Sequence, residues 1–474
     1  MNYQETLAYL YSMSDFERGG PYTHDPTENL PRESYLLAQL ANPQQDYSCT
    51  LIAGTKGKGS TATFIERVLR EAGLRTGLYT QPDLHTFRER IRVNGHLISE
   101  DAMAALMTEL RAVVERIQQE QHFTSFITYE VATALALLYF SRQHVQHAVL
   151  EVGLGGRLDA TNVTQPLVSV ITSISYDHMQ VLGNTLTEIA TEKAGIIKPN
   201  GTVVTSAQAP EALLAIADAA RRQHAELIRV APSTVDPAQT EVTAGQLPAP
   251  SYRYCLEQQN GEHQRFTAWT PEHTYTGLEI SHVGQHQLEN ATAALATLDM
   301  LRLRHAIVWD EASLRTGLLA AHWPARIEVI GQRPALIVDG AHNTDSMQKL
   351  LAALRTSFTF HRLIIVLSVA RDKDLVGIVQ ALRDIDVVVL TRMANPRVAS
   401  LESMAELFAQ HAPLVDVHSA ATSSEAIELA LDLADPSDLV CATGSLYLAA
   451  EILRWSAAHG NSSIASTIEG VDHA

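Results

Sequence analysis

The chain has 474 residues, with 35 Lys+Arg against 53 Asp+Glu and a formal net charge of −18 at pH 7. At 46% hydrophobic and 19% charged it carries apolar material for more than one core, which excludes disorder over most of its length. The acidic excess argues against a nucleic-acid partner, and three widely separated cysteines exclude a disulfide framework and fit a reducing compartment.

The N-terminal twenty residues lack a basic segment followed by an apolar one, and no apolar run reaches the roughly eighteen residues of a membrane span, so a cytoplasmic protein with no membrane contact is expected. Thr50–Ala53 reads as a short strand. Ser60–Ala72 then places Ile65, Val68, Leu69 and Ala72 at helical spacing. Thr76–Thr80 reads as a strand. Ala148–Val152 and Val168–Ile174 are continuous apolar runs, as expected of a parallel sheet covered on both faces. Tyr252, Tyr254, Phe266, Trp269 and Tyr275, in polar company between 250 and 283, predict a small antiparallel appendage.

After Trp323-Pro324 the alternation restarts, with strands at Ala335–Val338, Leu363–Leu367, Val387–Leu390 and Leu439–Ala442. Helices are predicted near 344–356, 374–382, 400–410, 423–433 and 446–457. The fold class is therefore α/β, with an N-terminal domain over 1–323 and a smaller Rossmann-like α/β domain over 324–474. The last dozen residues are polar. Two such domains leave a cleft suited to a two-substrate reaction.

The sharpest signal is Gly54-Thr55-Lys56-Gly57-Lys58-Gly59-Ser60 between a strand and a helix. Glycines there let backbone N–H groups surround phosphate oxygens, and the helix N-terminus adds its dipole. Lys58 suits the outer phosphates, and the Ser60 hydroxyl suits a phosphate-bound Mg²⁺. The common spacing G-x-x-x-x-G-K-[ST] is not matched, because Gly59 separates Lys58 from Ser60. Glu151 closes a buried strand at the edge where ligands of open α/β folds collect, and offers a hard oxygen to a metal. The competing use of that carboxylate is an ion pair with Arg157 or another cation.

GTKGKGS resembles the phosphate loop of the Mur ligase superfamily, and in particular the folylpolyglutamate synthase and dihydrofolate synthase family. The likeness continues in order through Phe87-Arg88-Glu89-Arg90-Ile91, the block Glu151–Asn162, Asp177-His178 with Leu182-Gly183, and Glu192-Lys193-Ala194-Gly195-Ile196. His286-Gln287 with Asn290-Ala291, Pro324-Ala325-Arg326, and Asp339–Asn343 extend it. Asp372-Lys373-Asp374 and Gly444-Ser445-Leu446-Tyr447 also match, although either serves equally as a helix cap. Blocks in this order are far more specific than a lone glycine loop.

The resemblance implies an ATP-dependent ligase that joins L-glutamate to a pteroate or folate carboxylate through an acyl phosphate. It implies Gly54 to Ser60, Asn290, Arg326 and Asp339 as ATP contacts, and Lys58, Glu151, His178 and Lys193 as catalytic groups. Two Mg²⁺ sites follow, with Ser60, Gln81, Glu151 and His178 as ligands, and Lys193 is implied to carry a CO₂-derived carbamate. Leu158, Asp159, Ala160, Thr128 and His342 are implied to line the acid-substrate side. The partners are thus small molecules, and a monomer is expected.

Two stretches depart from the family. Thr80-Gln81-Pro82-Asp83-Leu84 stands where Ser-Pro-His-Leu is usual, which leaves Gln81, Asp83 or Thr80 as the metal-facing group. Thr128-Tyr129-Glu130 replaces the usual T-x-F-E. Both fall on the pterin side, so the alternatives are a Mur-type amide ligase for a different acid, or a nucleotide-binding relative without catalysis.

Overall fold

The computed structural model describes residues 1–13, 26–234 and 249–460, and the polar end of the chain lies outside these. Strands β1 (Ser48–Ala53), β2 (Thr76–Tyr79), β3 (Ile91–Val93), β4 (His96–Leu97), β5 (His147–Glu151), β6 (Val168–Ile171), β7 (Thr202–Thr205), β8 (Glu226–Pro232), β9 (Tyr252–Gln259), β10 (Gln264–Trp269) and β11 (Thr274–Ile280) make one sheet. Its order is β11-β10-β9-β8-β7-β6-β1-β5-β2-β3-β4. Neighbours from β2 across to β9 run parallel, and the pairs beyond them on both sides are antiparallel.

The chain leaves β1 for β2 on one side and later returns to β6 on the other, so β1 is the point where the winding reverses. Open α/β sheets bind ligands outside the carboxyl ends of the strands at such a point. The register aligns Ile52 with Glu151 on one side and with Val170 on the other. The ends of β1, β5 and β6 therefore share one edge. Helix Lys58–Glu71 buries Ala62, Phe64, Ile65, Val68 and Leu69 on one face of the sheet. Helix Thr128–Arg142, apolar nearly all round, is buried on the other face.

The expected appendage at 250–283 is antiparallel but not separate. Val230 pairs with Tyr252, which makes β9 to β11 a continuation of the main sheet. Only one face of these strands is covered: Tyr252, Tyr254, Phe266 and Leu278 pack beside Leu288, Ala291 and Leu295 of helix Gln285–His305. One-sided burial gives the alternation that made the stretch look detached. The hairpin β3–β4 was not anticipated, because strands of three and two residues show no period. Its turn is Asn94-Gly95, both at positive φ, which suits a two-residue hairpin. β6 also ends at Ile171 rather than Ile174, because Thr172 and Ser173 turn to hold the glycine loop.

A second sheet begins at β12 (Glu328–Gln332). It continues through β13 (Ala335–Val338), β14 (Leu363–Leu367), β15 (Val387–Leu390), β16 (Asp416–Ser419) and β17 (Leu439–Thr443), in the order β12-β13-β17-β14-β15-β16. Only β12 is antiparallel to its neighbour. The four central strands and the five helices fall within a residue of expectation. β12 and β16 were missed because edge strands are half exposed and lack a continuous apolar run. The two units meet where Leu84, just after β2, packs against the core of the second unit formed by Ile330, Leu336 and Val338.

One buried ion pair ties the first unit together. Arg32, on helix Asn29–Gln39, forks onto Glu130 at 2.8–3.0 Å, and both side chains are almost fully buried. Glu130→Ala is expected to cost about 3–5 kcal/mol, because it leaves a guanidinium buried and uncompensated. Arg32→Met combined with Glu130→Leu should recover most of that loss, and urea denaturation of the three chains measures the difference.

Candidate active site

β1 delivers Gly54–Gly57 to the carboxyl edge, and the structure braces them from the segment after β6. Thr55 N donates to Ser173 O at 2.8 Å, Thr55 Oγ1 to Ser175 O at 3.1 Å, and Thr172 Oγ1 to Lys56 O at 2.8 Å. Gly57 caps helix Lys58–Glu71 at φ +87°, and a Cβ there would lie 2.2 Å from Asn290 Oδ1. Asn290 is buried, and its amide donates to Gln287 Oε1 at 2.9 Å. A Cβ on Gly59 would meet the Trp323 ring at 2.7 Å, so that ring covers the first turn, where Ser60 is buried. The first N–H groups of a helix have no partner within it and face whatever binds there. Gly57→Ala is expected to weaken ATP binding by tenfold or more, since the left-handed conformation costs about 1–2 kcal/mol and Asn290 must also move. A calorimetric ATP titration checks it.

Several charged groups converge around this loop. Lys58 Nζ donates to Gly54 O at 3.3 Å and lies 3.8 Å from Glu151 Oε1. Lys193, near the end of helix Leu186–Ala194, donates to the same carbonyl at 2.8 Å. Burial, and then Lys58, lowers the Lys193 amine to about 7. Arg157 pairs with Glu192 at 2.9 Å, which leaves Glu151 to Lys58. Lys56 and Asp177 form a 3.2 Å pair, and Asp177 is followed by the partly exposed His178 at φ +48°.

Glu151 Oε2 accepts the backbone N–H of Gln81 at 3.1 Å, and the buried Gln81 Oε1 has no hydrogen-bond partner among the described residues. An orphaned buried oxygen beside a carboxylate is costly unless a ligand takes it. Glu151, Gln81 and Ser60 each offer a hard oxygen of the kind Mg²⁺ takes. Asp83 is not free for that role, because Arg90 holds it at 2.5 Å. Among the described residues no three His, Cys, Asp or Glu side chains make a metal site by themselves. A site completed by neutral oxygens and phosphate agrees with that.

The second unit supplies the opposite wall. Asp339, at the end of β13, accepts Ile327 N at 3.0 Å and Ala341 N at 2.7 Å, while Asn343 caps the following helix. Burial raises the Asp339 carboxyl, and Arg326 beside it opposes the shift. The His342 Nδ1 lies 2.9 Å from Gly340 O, and burial together with Lys56 lowers that imidazole to about 3. His342 is thus neutral at pH 7. Asp374 and Ser445 cap helices Leu375–Ala381 and Leu446–Ala458, so both turns do serve as caps. Lys373, between Asp372 and Asp374, is close enough for its charge to lower both His178 and His342.

The expected substrate residues separate. Thr128 Oγ1 is turned inward onto Leu10 O at 2.9 Å. The Asp159 carboxylate accepts Gly153 N, Leu154 N, Thr161 N, Thr161 Oγ1 and the Tyr129 hydroxyl, so it holds the loop after β5 in shape. Leu158 is half buried and Ala160 buried on the same turn. The group not anticipated is the Tyr129 hydroxyl, which also accepts Gly153 N at 3.0 Å and contacts Gln81 Nε2 at 3.3 Å. The replacement of the usual aromatic by Tyr was the signal for it. Asp159, Tyr129, Gln81 and Glu151 thereby form one connected polar row.

Comparison with known proteins finds relatives that span both units. Residues 52–298 match the Mur ligase middle domain, and residues 325–446 match the Mur ligase glutamate ligase domain. A dihydrofolate synthase/folylpolyglutamate synthase of Bacillus subtilis is 36% identical over 357 residues, 75% of this chain and 79% of that protein. A folylpolyglutamate synthase of Mycobacterium tuberculosis complexed with ADP superposes with a TM-score of 0.83 at 30% identity, over 96% of this chain and 98% of that one. FolC of E. coli in complex with DHPP and ADP gives 0.81 at 27% identity, over 97% and 98%. Among the described residues no helix is long and apolar enough to cross a membrane.

Proposed function

The chain belongs to the folylpolyglutamate synthase/dihydrofolate synthase family of Mur ligases, and from that membership we propose how its own groups divide the work. It is an ATP-dependent carbon–nitrogen ligase that joins L-glutamate to the carboxylate of a pteroate or folate. The observation that carries the assignment of roles is the convergence of Lys58 and Lys193 on one loop carbonyl, opposite Glu151 and the unpartnered Gln81 oxygen.

The loop Gly54–Ser60 holds the triphosphate with its N–H groups and Lys58, while Asn290, Arg326 and Asp339 take the adenosine end from both sides of the cleft. The acid's carboxylate oxygen attacks the γ-phosphorus and ADP leaves, giving an acyl phosphate. The amine of L-glutamate then attacks the acyl carbon, phosphate departs, and the amine proton is lost to solvent. Ser60, Gln81 and Glu151 would hold Mg²⁺, with His178 toward a second ion. Bound Mg²⁺ neutralises charge that builds on the phosphate oxygens. Lys58 stabilises the same oxygens from the protein side, and the Trp323 and His342 walls keep water from the acyl phosphate.

Lys193, close to neutral at physiological pH, is able to attack CO₂. The product carbamate is anionic and retains one N–H for Gly54 O. Lys58, Lys56 and His178 surround that negative charge with positive or polar partners. We take the chain to divide at Pro324 and the monomer to be the working unit, because both walls of the cleft come from one chain. We propose a cytoplasmic location, which the sparse, unpaired cysteines support.

The test is ADP release by the purified protein with MgATP and L-glutamate, adding dihydropteroate or tetrahydrofolate in turn and weighing the products. Turnover with dihydropteroate alone identifies a dihydrofolate synthase, and turnover with both identifies the bifunctional enzyme. ATP binding without release in the presence of either acid would defeat the folate assignment.

A further inference from the structure

The phosphate loop carries two lysines, and the structure sends their side chains to different partners. Lys58, after the Gly57 reversal, reaches back to Gly54 O and toward Glu151. Lys56, before that reversal, is held by the segment that follows β6. Its backbone forms an isolated antiparallel bridge with Ser173, and its carbonyl accepts Thr172 Oγ1 at 2.8 Å and Ser173 Oγ at 3.2 Å. Its ammonium then reaches along the same segment to Asp177 Oδ2 at 3.2 Å.

Asp177 divides its two oxygens. Oδ2 takes Lys56, and Oδ1 accepts the backbone N–H of His178 at 3.0 Å. His178 sits at φ +48° and ψ +38°, a left-handed conformation unfavourable for a residue with a Cβ. The helix after it, Met179–Leu182, is a single turn, and Tyr176, Met179 and Val181 around it are exposed. Packing therefore does little to fix this turn, and its polar contacts must hold it. The His178 ring is partly exposed and feels the charges of Lys58 and Lys373, one from each unit. It thus faces the cleft between the units, where a neutral imidazole suits an ion beside the phosphates.

We infer that the Lys56 side chain is a positioning group for His178 rather than a phosphate contact. The inference rests on the reading of His178 above as the group toward a second ion. Without Lys56 the Asp177 carboxylate loses the partner that fixes its rotation, its hold on the His178 N–H loosens, and the imidazole leaves its place. Groups that orient a metal-binding histidine typically change metal affinity by about 10–100-fold when removed. A lysine that met the phosphates would act instead on the nucleotide, with or without metal.

The experiment counts bound Mn²⁺ by the paramagnetic resonance of the free ion, in the presence of β,γ-methylene ATP. Calorimetry measures binding of the same analogue without metal. The wild-type protein should hold two ions. Lys56→Met and Asp177→Asn should each weaken the second ion about tenfold or more, with the first ion and the metal-free nucleotide affinity near wild type. The double variant should be no worse than the weaker single one, because both changes remove one contact. Lys56→Arg keeps a cation for Asp177 and should recover most of the loss. A Lys56→Met protein that loses metal-free nucleotide affinity would overturn the inference and make Lys56 a phosphate group. So would one that keeps its second ion while Asp177→Asn loses it, which would mark Asp177 as a ligand in its own right. A single Mn²⁺ in the wild type would instead remove the second-ion reading, and this role of Lys56 with it.

Discussion

Lys58→Ala is expected to lower kcat for ADP release by about 10²–10³-fold, with a smaller change in the KM for ATP. In the proposed arrangement the backbone N–H groups of the loop and Asn290 would still hold the nucleotide without Lys58. The charge on the transferring phosphate, however, loses its nearest protein cation. Removing one preorganised electrostatic partner of a developing charge typically costs a factor of this size. Lys58→Arg should not restore the rate. The ammonium sits 3.3 Å from Gly54 O and 3.8 Å from Glu151, and a planar fork does not fit a position built for a compact charge. Product analysis by mass separates the two steps, since a variant blocked at phosphoryl transfer accumulates no acyl phosphate for hydroxylamine to trap. A Lys58→Ala enzyme with unchanged kcat would sink the mechanism as drawn.

The second large effect belongs to Lys193, and it has opposite signs for activity and stability. Activity should fall when CO₂ is stripped from the buffer and return on adding bicarbonate. The return should be greater at pH 8 than at pH 6, because an amine titrating at about 7 is largely neutral only above that pH. A ¹³C carbamate resonance, present with labelled bicarbonate and lost in Lys193→Met, is the direct measurement. Stability runs the other way. In the unfolded chain the amine stays protonated up to about 10.4, whereas in the folded chain burial strips its proton above about 7. Between those values the unfolded state binds more protons, so stability rises with pH across that window. Below pH 7 the folded chain carries the full cost of a buried ammonium. Lys193→Met should therefore raise Tm most at pH 6 and least near pH 10, while abolishing turnover. A Tm gain that does not change with pH would show that the buried charge is not the cause.

Much of the fold was legible because fully buried parallel strands announce themselves. Ala148–Val152, Leu363–Leu367 and Val387–Leu390 are unbroken apolar runs, and each is a strand in the structure. What escaped was structure at edges. β12 and β16 pair on one side only, and their sequences mix polar and apolar residues to match. The joining of β9 to β8 is a contact between residues more than twenty apart, and no local pattern encodes it. In the site, the glycine loop, Lys58, Glu151 and Lys193 could be picked out by residue type, and the structure gathers them at one sheet edge. What type could not show is where each side chain turns: Thr128 Oγ1 donates to Leu10 O, and the Asp159 carboxylate accepts from its own loop. The Tyr129 hydroxyl became visible only once its partners were in place.

The short stretch from Gln81 to Leu84 connects two places described separately. At one end is the unpartnered amide oxygen beside Glu151, and at the other a leucine seated in the core of the second unit. Between them Pro82 has a fixed φ and Asp83 is held by Arg90, so the stretch has little slack. A tilt of the second sheet would therefore be felt at the oxygen, and a group bound to the oxygen would resist that tilt. Thermodynamic reciprocity would make these a single coupling free energy seen from two ends.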